Sequence, residues 1–187
     1  MNVLALRRRP NLWKGVTAGL IGGLVGSWTM NQFQSAWTKV WEKLQSDGNS
    51  NRQKQDSPKH EESHEESEDA TQKAANKIAR ELIGRSLSQQ EKKIAGPILH
   101  YAFGATMGGA YGAAVEYEPK VRYGAGVPLG TLLFLAADEA AVPALGLSQA
   151  PTKYPWKSHA YAFAAHAVYG TTTELVRSYV RKLLRRL

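Results

Sequence analysis

Cysteine is absent from the 187 residues, which excludes disulfide frameworks and thiolate chemistry. Also missing are a P-loop, a dinucleotide-binding fingerprint, a nucleophile elbow, an HExxH pair and an EF-hand loop. Each places a particular group (a phosphate, a cofactor, an acyl intermediate or a metal) by fixed spacing, so no enzymatic turnover and no cofactor are expected. Zinc-finger, RRM and KH signatures are lacking, and nucleic acid is not an expected partner. No leucine-rich apolar run stands out, and the mean hydropathy is negative. That average misleads, because polarity is concentrated in residues 45–93, while Ala, Gly, Leu, Val and aromatics dominate the rest.

What is present is a formal charge of +8, distributed at the ends of apolar stretches. Arg7, Arg8, Arg9 and Lys14 flank the first stretch. Lys120 and Arg122 lie in a short turn between two others, and Arg177, Arg181, Lys182, Arg185 and Arg186 follow the last. Basic residues so placed suit membrane orientation better than a nucleic-acid groove. Four stretches, about 12–33, 95–115, 123–142 and 158–179, approach the roughly 20 residues that a helix needs to cross a bilayer. Trp13, Trp28, Trp37, Trp41, Tyr123, Tyr154, Trp156 and Tyr179 lie near their ends, as interfacial anchors do.

With the N-terminus in the cytoplasm, the long loop 38–94 is external and carries balanced charge. The basic tails are internal, in keeping with the positive-inside rule. The first stretch has the look of a signal peptide, but no A-x-A-like site follows it, so an uncleaved span is expected. The chain divides into 1–44 (basic flank and first span), 45–94 (polar loop) and 95–187 (three further spans and a basic tail).

Within the loop, residues 45–69 are poor in apolar side chains and expected to be disordered. The His- and Glu-rich run 60–66 reads as a solvated tether rather than a cation site. Ala74, Ala75, Ile78, Leu82 and Ile83 then recur at helical spacing among Lys73, Lys77 and Arg80, predicting an amphipathic helix on the membrane surface. Ser88 and Glu91 form a capping-box pattern for the next helix, which Pro97 is expected to kink.

Small residues repeat every four positions. His100, Gly104, Gly108, Gly112 and Glu116 share one face of the second span, and Ala162, His166, Gly170 and Glu174 one face of the fourth. Tyr101-Ala102-Phe103 precedes Tyr111-Gly112 much as Tyr161-Ala162-Phe163 precedes Tyr169-Gly170, a weak internal repeat with both copies running from outside to inside. Gly15, Gly19 and Gly23 in the first span, with Gly126 and Gly130 in the third, extend the pattern. Such glycines let helix backbones approach closely in lipid, and a groove lining a narrow path is the sharper alternative.

Ionisable residues inside a span normally face the bundle interior and find partners. At about 1.5 Å per residue, His100, Asp138, Glu139 and His166 fall in the outer half, with His159 at the outer boundary. Glu116 and Glu174 fall near the inner boundary, with Arg122 and Arg177 expected beside them as helix-end ion pairs. Three roles stay open for the outer group: a structural polar network, a proton or ion relay, or a metal site. No motif spacing supports the metal.

Residues 100–181, and more weakly the first glycine-rich span, resemble the YagU-like inner-membrane proteins, a family of unknown molecular function. His100, Tyr111-Gly112, Glu116, Pro119, Pro143, Gly146-Leu147, His166, Glu174 and Arg177 carry the likeness. The resemblance implies a multi-span helical protein of the bacterial cytoplasmic membrane and supplies no catalytic residue. The expected fold is therefore an all-α bundle of four transmembrane helices with both termini cytoplasmic. The expected role is a membrane protein of envelope or stress physiology whose polar interior handles protons or ions. A structural subunit that packs against itself or a partner through its glycine faces is the runner-up, and an intramembrane metalloenzyme comes third. The bilayer is the expected partner, self-association is an open option, and the sequence leaves any small ligand unknown.

Overall fold

The computed structural model describes residues 10–49 and 69–186, and among these every regular element is helical. The basic flank 7–9 and the tether 60–66 lie outside the described residues.

Helix α1 (Leu12–Asn49) starts where Asn11 Oδ1 accepts the Lys14 amide at 3.1 Å, covering one of the amides that a helix start leaves free. It runs through residues 45–49, so the polar loop begins later than the composition suggests. Helix α2 (Ala70–Ile83) is capped by Asp69, which accepts from the Thr71 amide, and ends on Gly84 in the left-handed conformation at φ 74°. Helix α3 (Gln89–Tyr117) opens with the expected capping box, in which Ser88 and Glu91 exchange side chain-to-backbone bonds of 3.3 and 2.8 Å. The guanidinium of Arg85, with help from Ser88, holds the Glu91 carboxyl down at about 2. Pro97 lies inside α3, which continues across it. After a 3₁₀ turn at Pro119–Arg122 come α4 (Val127–Ala144) and α5 (Trp156–Leu183).

The middle of α4, Phe134–Ala141, is wound as a π-helix, in which the Val142 amide reaches back to the Ala137 carbonyl five residues earlier. Pro143 contributes to this register. It has no N–H to offer the carbonyls of Glu139 or Asp138, four and five residues back.

Helix α1 sits in the middle of the bundle, between α3 and α5. Helix α4 packs on the far side of α5, and α2 on α3. Glycine sets these contacts. A Cβ on Gly15, Gly19 or Gly23 would run into the backbone of Gly112, Gly108 or Gly104, in that order. Rising numbers on α1 meet falling numbers on α3, so the two helices are antiparallel. Gly22 and Gly26 on another side of α1 touch Thr173, Arg177 and Tyr169 of α5. Gly126, the N-cap of α4, and Gly130 within it meet Gly170 and His166 of α5, also antiparallel. Helices α3 and α5 therefore run in one direction, as the internal repeat requires. Gly104, Gly108, Gly112 and Gly170 all make close helix contacts within the chain.

Among the described residues, five polar ones are buried beside an apolar core, and many large apolar side chains are exposed. Ser27, His166, Thr173, Glu174 and Arg177 are buried, whereas Leu24, Trp28, Ile98, Leu132, Leu135 and Leu175 are exposed. One helix, Val127–Ala144, is by itself long and apolar enough to cross a membrane. In α2 the small residues Ala75 and Ala79 are buried, leaving Ile78, Leu82 and Ile83 exposed.

Candidate functional site

Lys14, the 119–122 turn and the end of α5 share one end of the bundle, where Lys14 Nζ donates to the Leu184 carbonyl at 2.6 Å. The other end carries α2 and the segment 145–155. There a cavity of about 660 Å³ opens among α1, α2, α3, α4 and α5. Its base is the buried group Met30, Leu133 and Tyr169, against which Met107 and Leu129 pack. The Tyr169 hydroxyl donates to the Gly104 carbonyl at 2.7 Å and ties α5 to α3 at this level.

All four residues expected in the outer group, His100, Asp138, Glu139 and His166, line this cavity, and His159 joins them. The π segment of α4 carries both carboxylates. At the partly exposed rim, His159 Nδ1 lies 2.7 Å from Glu139 Oε1 and His159 Nε2 lies 3.1 Å from the Pro151 carbonyl. Both ring nitrogens face acceptors, a pattern that an imidazolium satisfies with two N–H donors. His166 is buried and donates from Nδ1 to the Ala162 carbonyl at 2.9 Å, while Asp138 Oδ2, on a side chain 42 % exposed, lies 3.6 Å away. That second distance is an electrostatic contact rather than a hydrogen bond. On the opposite walls, His100 Nε2 and Ser27 Oγ are buried without a hydrogen-bond partner.

Several members of this lining were missed by sequence reasoning, among them an acid, a serine and a tyrosine. Asp69 enters from the α2 cap, Ser27 from α1, and Tyr169 from the face of α5 that meets α1. The Asp69-to-Thr71 cap was the one available signal for the first. Among the described residues, no three His, Asp or Glu side chains are grouped closely enough to hold a metal ion.

The opposite end holds two ion pairs. Arg177 donates to Glu174 through Nε at 2.6 Å and Nη2 at 2.8 Å, and its guanidinium stands 5.9 Å from the Tyr111 ring centroid. Glu116 does not meet Arg122, which is exposed. Its partner is Arg181, bound through Nε and Nη2, and it also accepts the Asn11 amide at 3.1 Å. One carboxylate thus fastens the start of α1, the end of α3 and the end of α5. Arg122 is excluded because the 3₁₀ turn carries it outward, whereas α5 extends far enough to bring Arg181 to Glu116.

The Arg181 bond, supported by the Asn11 amide, holds the Glu116 carboxyl below its ordinary value near 4.5. A carboxyl lowered on folding stabilises fully above its unfolded value, and that stabilisation fades as the pH falls through the folded value. Thermal melts in detergent between about pH 6 and pH 3 should show the acid loss, with a shallower slope in Arg181→Gln. Parallel curves for the two proteins would refute this role for the clamp.

A family model described as a protein of unknown function, DUF1440, matches residues 76–175. No curated protein and no solved structure matches the chain. The matched segment contains the whole of α3 and α4 together with His159, His166 and Glu174.

Proposed function

The chain belongs to the DUF1440 family, whose description assigns no activity, and we propose that it is a four-span membrane protein whose polar cavity takes up and releases protons without enzymatic turnover. The observation that carries this reading is the convergence of three imidazoles and two carboxylates, from α3, α4 and α5, on one cavity. Imidazole changes charge near neutral pH, and each carboxylate has an imidazole beside it.

Several features support the membrane. Helices α1, α3 and α5 have 38, 29 and 28 residues, each enough to cross about 30 Å at about 1.5 Å per residue. Their middle portions expose apolar residues such as Leu24, Trp28, Ile98, Phe103 and Leu175, while Ser27, His166, Thr173 and Glu174 are buried, a pattern that suits lipid. The start of α1, the basic turn 119–122 and the end of α5 share one end, and the positive-inside rule favours that end as the cytoplasmic one. The resemblance to YagU-like proteins supports placement in a bacterial inner membrane. Helix α2 then lies at the outer surface, where Ile78, Leu82 and Ile83 meet the bilayer interface.

The natural absence of cysteine makes single-cysteine variants clean reporters. In spheroplasts, Gln149→Cys should react with a membrane-impermeant maleimide and Lys120→Cys only after lysis. Equal reaction of both before lysis would rule out the four-span topology. In liposomes under a pH gradient, the protein should speed collapse of the gradient. His166→Ala and Asp138→Asn should abolish that gain while eluting as folded protein. Wild-type rates in both variants would remove proton handling.

A further inference from the structure

The cavity has a charge opposite to that of the chain. Among the described residues not one Lys or Arg lines it, although the protein holds 24 of them and has a formal charge of +8. Three acids do line it: Asp69, Asp138 and Glu139. Glu139 is engaged by His159, whose Nδ1 lies 2.7 Å from Oε1. Asp69 spends its oxygens on Thr71. Asp138 is different. His166 Nδ1, its neighbour, is already committed to the Ala162 carbonyl, and no described residue donates a hydrogen bond to the Asp138 carboxylate.

A small inorganic cation is a poor fit, because no three ligating side chains among the described residues are grouped. The volume of about 660 Å³ falls in the range of roughly 300–1,000 Å³ typical of small-molecule sites. Its walls are largely apolar, with Met30, Phe103, Leu133, Leu145 and Leu147 among them.

We propose that the cavity binds an amphipathic organic cation, an ammonium group on an apolar body, with the ammonium donating to Asp138 and the body lying against Met30, Phe103 and Leu133. This rests on the cavity being the working site identified above. It is tested without a pH gradient, so that binding and proton movement are scored separately.

The full chain in zwitterionic phosphatidylcholine nanodiscs is titrated with phenylbutylamine, phenylbutanol and phenylbutyrate, with empty nanodiscs as reference. These probes share one body and differ only in the head group. The amine should bind saturably and at least tenfold more tightly than the carboxylate. Asp138→Asn should weaken the amine at least tenfold and leave the alcohol unchanged. Ala137→Leu, which fills the cavity without touching its charge, should weaken amine and alcohol alike, and it stands as the test if Asp138→Asn does not fold. Equal binding of amine and carboxylate, or wild-type amine affinity in the folded variants, would overturn the proposal.

Discussion

Gly108→Ala should unfold at markedly lower temperature than the wild type, while Gly109→Ala, its neighbour on the same helix, should change little. A Cβ at residue 108 would strike the Gly19 carbonyl oxygen and crowd the Gly23 backbone. Neither can move without pulling α1 away from α3 along the whole seam. Overpacking commonly costs about 1–3 kcal/mol, and with backbone on both sides the upper end of that range applies. A Cβ at residue 109 would instead lie 3.1 Å from Leu20 Cδ2, the end of a side chain that can rotate away. Alanine also gains roughly 0.5–1 kcal/mol over glycine within a helix, which offsets the contact. Melts of the two variants in one detergent decide the matter. Equal destabilisation would mean that the seam is not where α1 and α3 hold each other.

Arg177→Leu should be the most damaging change at the other end of the bundle. Arg177 is 3 % exposed and Glu174 7 % exposed, and each satisfies the other through two hydrogen bonds. Removing the arginine leaves a buried carboxylate with its main partner gone, a loss of about 3–5 kcal/mol in comparable pairs. Replacing both residues should be milder, since a well-packed apolar pair is often neutral relative to a buried ion pair. The expected order of melting temperature is wild type and Glu174→Leu/Arg177→Leu together, with Arg177→Leu well below. A double variant no better than the single one would show that the uncompensated charge is not the cause.

These two regions differ in how much of them the residue order reveals. The seam is visible in the sequence, because glycines four apart necessarily share a helix face. The pairing of Glu174 with Arg177 is visible for the same reason, since three residues is nearly one turn. The pairing of Glu116 with Arg181 is not, because 65 residues separate them and the rotation of α5 against α3 decides the contact. The π segment is equally hidden. Pro143 announces a missing donor, but whether the helix breaks, kinks or rewinds depends on what packs against it.

The outer polar group shows both sides. Helical periodicity and depth were enough to bring His100, Asp138, Glu139 and His166 to one level of the bundle. They could not say that His159 takes Glu139 while Asp138 is left open, nor that a cavity separates the walls.

The residue order by itself determined the main helical stretches, the Ser88–Glu91 cap and the small-residue faces, because these follow from local geometry along one chain. Only the tertiary structure decided which glycine face meets which, which acid finds which base, and where space is left unfilled. Those outcomes depend on the mutual rotation of helices, and side chains distant in sequence fix that rotation jointly.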